Sequence, residues 1–365
     1  MLLLVAALLV PDFSAVDSAV EAALQRNDCP GAVVLILHKD EVVHRKAYGL
    51  RSLEPDKSPL AADAIFDFAS LTKPIATGTS VMLLIEQSKL KPEDKVAKHW
   101  PAFAANGKQD VTVAQLLLHT SGLTADNALA DYQNGNEKSF ERIAALKLEA
   151  SPGTRLKYSD VGFIVLGHLV ERISGMPVDR FAKQNVFDPL KMKDTGFRPG
   201  ESLKGRIAPT GKRDGAIILG EVHDPRAFKL GGVAGHAGLF APADDLARYC
   251  RMMLNGGELD GVRVLKADTV KLFTEPHEVP DGKNKSLRSY GWDVDTGFSG
   301  QRGDVFAKAG GFGHTGFTGT SIWVDLKSRT AVIVLTSRVH PADKGNVLRL
   351  RREVATAAAK ALGVK

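Results

Sequence analysis

The chain has 365 residues, 44% of them hydrophobic and 25% charged, enough for a large core in one or two domains and ordinary for a soluble globular protein. The formal charge of +6 is mildly basic, but the positives are scattered among 42 acids. With Arg349-Leu350-Arg351-Arg352 as the only dense basic run, and no nucleic-acid motif, the charge reads as solubility or affinity for an anionic envelope, which excludes a nucleic-acid partner.

Taken in order, residues 1–10 (MLLLVAALLV) form an apolar run too short to span a bilayer. It lacks the positive leader and small-residue cleavage site of a secretory signal, so it reads as a signal remnant or as the first element of the fold. An extracytoplasmic location, periplasmic or secreted, is expected, with the cytoplasm as the alternative. No other stretch reads as a membrane span. Val16 to Gln25 has the spacing of an amphipathic helix. Gly31 to His38 (GAVVLILH) is a buried-strand run, with Glu41 to Tyr48 as its hairpin partner across Lys39-Asp40. An apolar helix over Val81 to Ile85 follows, with its start near Ser70 because Pro74 is tolerated only in a first turn.

Helical patterns separated by Pro/Gly turns occupy the middle: Val113 to His119, Phe140 to Ala150, Val161 to Ile173 and Val178 to Val186. Gly196 to Glu221 reads as loop. A Gly/His-rich segment runs from Val222 to Phe240, and a helix from Pro242 to Leu254. Tyr290-Gly291-Trp292 opens a strand-rich region, Ser321 to Asp325 and Thr330 to Thr336 are buried strands, and Asn346 to Leu362 is a closing helix. The fold class is therefore α+β: an antiparallel sheet flanked by terminal helices, with a mostly α-helical insertion. Residues 11–88 and 285–365 would form the sheet domain around the insertion at 89–284. Two cysteines, Cys29 and Cys250, are too few for a disulfide framework or a zinc site, and their pairing is left open.

Three motifs carry chemistry. Ser70-Leu71-Thr72-Lys73 places a serine and a lysine on one helical face, one turn apart, at the positive end of a helix. A serine needs a base to become a nucleophile, and a lysine can serve only if burial or a cationic neighbour lowers its pKa. Alone, the motif reads more readily as a capping serine and a solvated lysine. Tyr158-Ser159-Asp160 follows the turn Ser151-Pro152-Gly153 and precedes an apolar helix. Gly313-His314-Thr315-Gly316 leads into strand Ser321 to Asp325.

Together these motifs, with LLLHTSGL (116–123), SPGTRLKYSD (151–160) and GGVAGHAGLF (231–240), resemble the serine β-lactamase and penicillin-binding-protein superfamily, most closely its class C β-lactamase-like branch. The resemblance runs from about Gly31 to the end. It implies a serine acyl hydrolase: Ser70 as nucleophile, Lys73 as its deprotonating partner and Tyr158 as second base. It also implies an oxyanion hole from the backbone N–H groups of Ser70 and Phe317, and substrate contacts from Asp160, His314, Thr315 and Gly316. The implied partner is a small-molecule or peptide acyl substrate, namely a β-lactam, a D-Ala peptide or an ester, without a cofactor. The alternatives are a carboxylesterase with the same site and a cell-wall-peptide or β-lactam binding protein that does not turn over.

Asp160 stands where many relatives have asparagine. An ionised aspartate only accepts hydrogen bonds, so it would hold Lys73 or stay protonated. His314 replaces a lysine, so its charge would depend on pH. His119 and His236 read as structural hydrogen-bonders, and Trp292 as either cleft or core. His223-Asp224 has no third ligand at a metal-binding spacing. Oligomeric state is not legible.

Overall fold

The strand Gly31–His38 is buried along almost its whole length because both faces of its sheet are covered. Val33, Leu35 and Leu37 point into a core shared with the helical part of the chain, while Ala32, Val34 and Ile36 point into a second core. The second core is closed by the terminal helices Ser14–Gln25 and Leu348–Ala361, through Val16, Val20, Leu350 and Val354. Double burial explains why the strand reads as a continuous apolar run rather than an alternating one. Each such aliphatic side chain contributes about 1.5–3 kcal/mol on leaving water.

The structure, a computed structural model, describes residues 11–364. The apolar run at residues 1–10 lies outside that range. The nine-stranded sheet is antiparallel throughout. Its order is His277–Asp281, Asn284–Arg288, Asp293–Asp295, Gly311–Thr315, Ser321–Asp325, Thr330–Thr336, Gly31–His38, Glu41–Ser52 and Ser58–Pro59. Thus the two ends of the chain meet at mid-sheet, where Gly31–His38 pairs with Thr330–Thr336. The first hairpin turns at Lys39 and Asp40, both in the left-handed region (φ 49° and 70°), as a two-residue turn between twisted strands requires.

The α+β architecture is the one expected from the sequence. Some elements differ. The strand-rich region opens at His277 rather than Tyr290, and Trp292 is fully buried against Tyr249, Phe273 and Phe312. Gly196 to Glu221 is not all loop, since it includes the short strands Gly196–Phe197, Lys212–Arg213 and Ala216–Ile217. The helix expected at Phe140 to Ala150 occupies Gly135–Ala144. Cys29 and Cys250 are both free, and they lie in different cores.

Two packing features position the site. The helix Asp160–Ser174 is capped by Ser159, whose hydroxyl accepts the Gly162 N–H at 3.0 Å, and it ends at Gly175 with φ 75°. The segment Gly231 to Phe240 lies directly on this helix. A side chain at Gly235 would collide with the Phe163 carbonyl, so only glycine permits the approach.

Candidate active site

The turn that carries Ser70 begins where the short strand Ile65–Asp67 pairs with Leu239–Pro242. Asp67 is buried, and its carboxylate accepts the N–H of Ala69 at 2.8 Å and of His223 at 2.7 Å. Burial raises its pKa to about 6 despite these bonds. Ala69 adopts φ 45°, a conformation that costs an L-residue about 1 kcal/mol and is held by its surroundings. The chain then makes a tight 3₁₀ turn at Ala69–Leu71 and a wide π-type turn at Lys73–Gly78. Regular α-helix starts only at Thr79, later than the expected start near Ser70. Ser70 and Lys73 nevertheless face each other, with Lys73 Nζ donating to Ser70 Oγ at 3.0 Å.

Lys73 is fully buried. Its ammonium also donates to the His236 carbonyl at 3.2 Å, lies 2.6 Å from Asp160 Oδ1, and sits 4.9 Å from the centre of the Tyr158 ring. The Asp160 contact brings an ammonium and a carboxylate oxygen to hydrogen-bonding distance. Burial penalises the ammonium, but the neighbouring Asp160 and Tyr158 outweigh that penalty and hold Lys73 above the ordinary lysine range. The expected lowered lysine pKa is thus reversed, because Asp160 supplies an anion at contact distance. Burial raises the Tyr158 hydroxyl, against the pull of Lys73, so it is a phenol at neutral pH.

Ser70 and Tyr158 open onto a cavity of about 440 Å³, lined also by Asp293, His314, Thr315, Gly316 and Phe317. The strand Gly311–Thr315 forms one wall. Gly316 is essential to it, since a side chain there would run into the Phe68 carbonyl and the Thr320 hydroxyl. Among the described residues, no acceptor takes the Phe317 N–H. His314 Nδ1 lies 2.8 Å from the Thr315 carbonyl, which makes it the donor and leaves Nε2 as a bare acceptor with no partner. Burial lowers its pKa to about 4, against the attraction of Asp293 and reinforced by Lys73 and Arg288. Position 314 therefore presents a neutral imidazole rather than a cation at neutral pH.

A cation not expected from the sequence also lines the cavity. Arg351, from the closing helix, is 6% exposed and donates to the carbonyls of Gly316 and Thr320, each at 2.8 Å. Among the described residues no carboxylate pairs with it, its Nε has no partner, and burial lowers its pKa to about 9. From the sequence, this basic run reads only as solubility or affinity for an anionic envelope. Hydrophobic spacing marks Leu350 and Val354 as inward and so hints at Arg351 beside them.

His119 takes the structural role expected. Its Nδ1 accepts the Ser159 N–H at 3.0 Å, and its ring stacks on Tyr158 at 4.4 Å. His236 pairs with Asp224 at 2.9 Å. Ligand-capable atoms of Asp160, Asp224 and His236 lie within 4.8 Å of one another, a grouping hidden in the sequence. The Lys73 ammonium already supplies the cation there.

A twisted antiparallel sheet with a helical insertion, and a Ser-x-x-Lys turn facing a tyrosine and a His-Thr-Gly strand edge, define the fold of β-lactamases and penicillin-binding proteins. The family described as Beta-lactamase matches residues 16–356, and the chain belongs to that family. It is accordingly a serine hydrolase by family. An Escherichia coli protein named "Putative D-alanyl-D-alanine carboxypeptidase" is 33% identical over 349 residues, covering 85% of this chain and 79% of the relative. A Bacillus subtilis protein named N-acetylmuramyl-L-alanine amidase is 31% identical over 348 residues, covering 85% and 78%. A solved family VIII carboxylesterase superposes with a TM-score of 0.74 at 22% identity, covering 96% of this chain and 97% of that one, and so shares the fold. Among the described residues no single helix is long and apolar enough to cross a membrane.

Proposed function

We propose that the protein is a serine acyl hydrolase that forms an acyl-enzyme on Ser70 and acts on donors whose leaving side carries a carboxylate, as a D-alanyl peptide or a β-lactam does. The carrying observation is the contact of Ser70 Oγ with Lys73 Nζ at 3.0 Å, at the floor of a cavity walled by Tyr158 and the His314–Phe317 edge. Ser70 attacks the acyl carbon, and the N–H groups of Ser70 and Phe317 receive the oxyanion, with roughly 3 kcal/mol from a donor of this kind. Tyr158, a phenol beside the Lys73 ammonium, gives its proton to the leaving group. After departure it is the base that activates water.

Arg351 argues for the leaving-side carboxylate. A buried guanidinium with only carbonyl partners is uncompensated, and a substrate anion in the same cavity would complete it. His314, being neutral, adds no second cation for that carboxylate. The names of the carboxypeptidase and amidase relatives support peptide substrates. Such substrates favour a location outside the cytoplasmic membrane. The second reading, a carboxylesterase, draws on the neutral His314, since a site without a cation at position 314 suits uncharged esters.

Intact-mass spectrometry after separate incubation with penicillin, a D-Ala-D-Ala peptide and a short p-nitrophenyl ester tests these readings. Adducts on Ser70 with release of D-alanine are expected. Ester turnover without peptide or lactam acylation would leave the esterase. Adducts that never decay would mark a binding protein, and no Ser70 adduct with any reagent would remove Ser70 as nucleophile.

A further inference from the structure

We infer that Asp160 is the proton acceptor for Ser70 acylation, with Lys73 as the relay between them. This rests on Ser70 being the nucleophile. Lys73 Nζ touches both ends of the path, Ser70 Oγ at 3.0 Å and Asp160 Oδ1 at 2.6 Å. A lysine held as ammonium by a contact carboxylate has no lone pair with which to take the serine proton. It can take one only while giving one away, and Asp160 Oδ1 is the acceptor within reach. Among the described residues that oxygen has no partner besides the Lys73 ammonium, so nothing else competes for its lone pairs.

In the step, the Ser70 O–H bond breaks as its proton moves to Lys73, and a Lys73 N–H bond breaks as its proton moves to Asp160. Ser70 Oγ forms its bond to the acyl carbon, and the carbonyl π pair becomes the oxyanion. Lys73 remains an ammonium throughout, beside the developing negative charge. In deacylation Tyr158, a phenolate once it has protonated the leaving group, takes a proton from the attacking water, and the proton on Asp160 returns through Lys73 to Ser70 Oγ as the acyl–oxygen bond breaks. That restores the starting charges.

The other groups facing the pair do not compete. Asp224, just ahead of the helix Pro225–Lys229, is engaged elsewhere. One of its oxygens accepts from the N–H groups of Arg226 and Ala227 and from His236 Nε2, and even against burial these partners hold its carboxylate well below the usual range. Asp126, on the loop before Leu129–Tyr132, lies 3.4 Å from Arg226 and is reached by none of the Lys73 bonds. Tyr158 is a raised phenol. Across the cavity, burial leaves His119 and His314 neutral, and Arg288 is paired with Asp293.

The test is the pH dependence of Ser70 acylation by a p-nitrophenyl ester, read as pre-steady-state release of p-nitrophenolate with the adduct located by mass. In the native protein Lys73 relays the proton as an ammonium, so acylation needs no neutral lysine and its acid limb lies below that of a variant that does. In Asp160→Asn, Lys73 loses its anion and burial governs it, so acylation waits for a neutral lysine. The acid limb then moves up by about 2 pH units or more, and the rate at pH 5 falls at least ~10-fold more than at pH 9. Asp160→Glu restores a low acid limb, an outcome that mere packing at this position would not give. A native acid limb above pH 7, or an unshifted limb in a folded Asp160→Asn protein whose Ser70 still acylates, overturns the relay alone. Failure of the native protein to acylate at Ser70 overturns the relay together with the nucleophile assignment.

Discussion

Ser70 contributes almost nothing to packing, so Ser70→Ala separates chemistry from fold. Turnover of any acyl substrate should drop at least ~10³-fold, while the melting temperature stays within the scatter of a neutral substitution. Arg351 is the more discriminating residue. Arg351→Gln keeps a donor for the Gly316 carbonyl but removes the charge, so KM for a D-Ala-terminated peptide should rise roughly 10–100-fold, the range of one charged hydrogen bond. KM for a neutral ester should barely move. Equal losses on both substrates would assign Arg351 to holding the strand edge instead. The Ser70–Lys73 pairing was legible because the two sit three apart, and local spacing alone sets them face to face. Asp160 beside Lys73 and Arg351 beside Gly316 are tertiary contacts between distant segments. No local period encodes them, and the tautomer of His314 depends on a carbonyl that only the folded edge supplies.

At the level of elements, the site is a joint between two tight backbone segments, the turn Phe68–Leu71 and the edge His314–Phe317. Gly316 lies where they touch, and Thr318 and Thr320 tie the edge back to the carbonyls of Asp67 and Phe68 at 2.7 and 3.1 Å. Both obstacles to a side chain at 316 are built into the joint, one backbone and one a hydroxyl already hydrogen-bonded, so neither can swing aside. Gly316→Ala should therefore cost about 1–3 kcal/mol of stability and displace the Phe317 N–H, lowering kcat more than it raises KM. Thermal melting alongside steady-state kinetics checks both. Element boundaries were legible where apolar period and chain punctuation agree, as at Thr112, whose capping box with Gln115 opens the helix Val113–Leu117. They were not where a helix begins with an exposed polar turn. Gly135–Ala144 starts with Gly135, Asn136, Glu137 and Lys138, which carry no hydrophobic period, so only its end from Phe140 was visible. The strained φ of Ala69 left no trace in the sequence either, because alanine is not a residue that signals it.

Over the whole molecule, the sheet divides the interior into two cores, and the larger one contains neutral histidines that water would charge. Burial lowers His314 to about 4, His168 to about 4 and His119 well below the ordinary value. The sign of the linkage follows from the unfolded chain, where each histidine takes up a proton near pH 6.5 while the folded one does not. Above that pH neither state is protonated and these residues leave stability unchanged. As pH falls from 6.5 to 4, the unfolded state gains protons that the folded state refuses, and stability declines. For His314, the interval between 6.5 and about 4 corresponds to roughly 3 kcal/mol lost by pH 4. Urea unfolding at pH 7.5, 6.0, 5.0 and 4.5 should show the midpoint falling steadily below pH 6.5. Replacing His314 by Gln, an uncharged side chain that cannot take up the proton, should flatten that slope by about one proton's worth. An unchanged slope in His314→Gln would mean that the imidazole is already protonated in the fold. The cavity would then hold a cation at position 314 after all, and the case for Arg351 as the site's anion anchor would weaken with it.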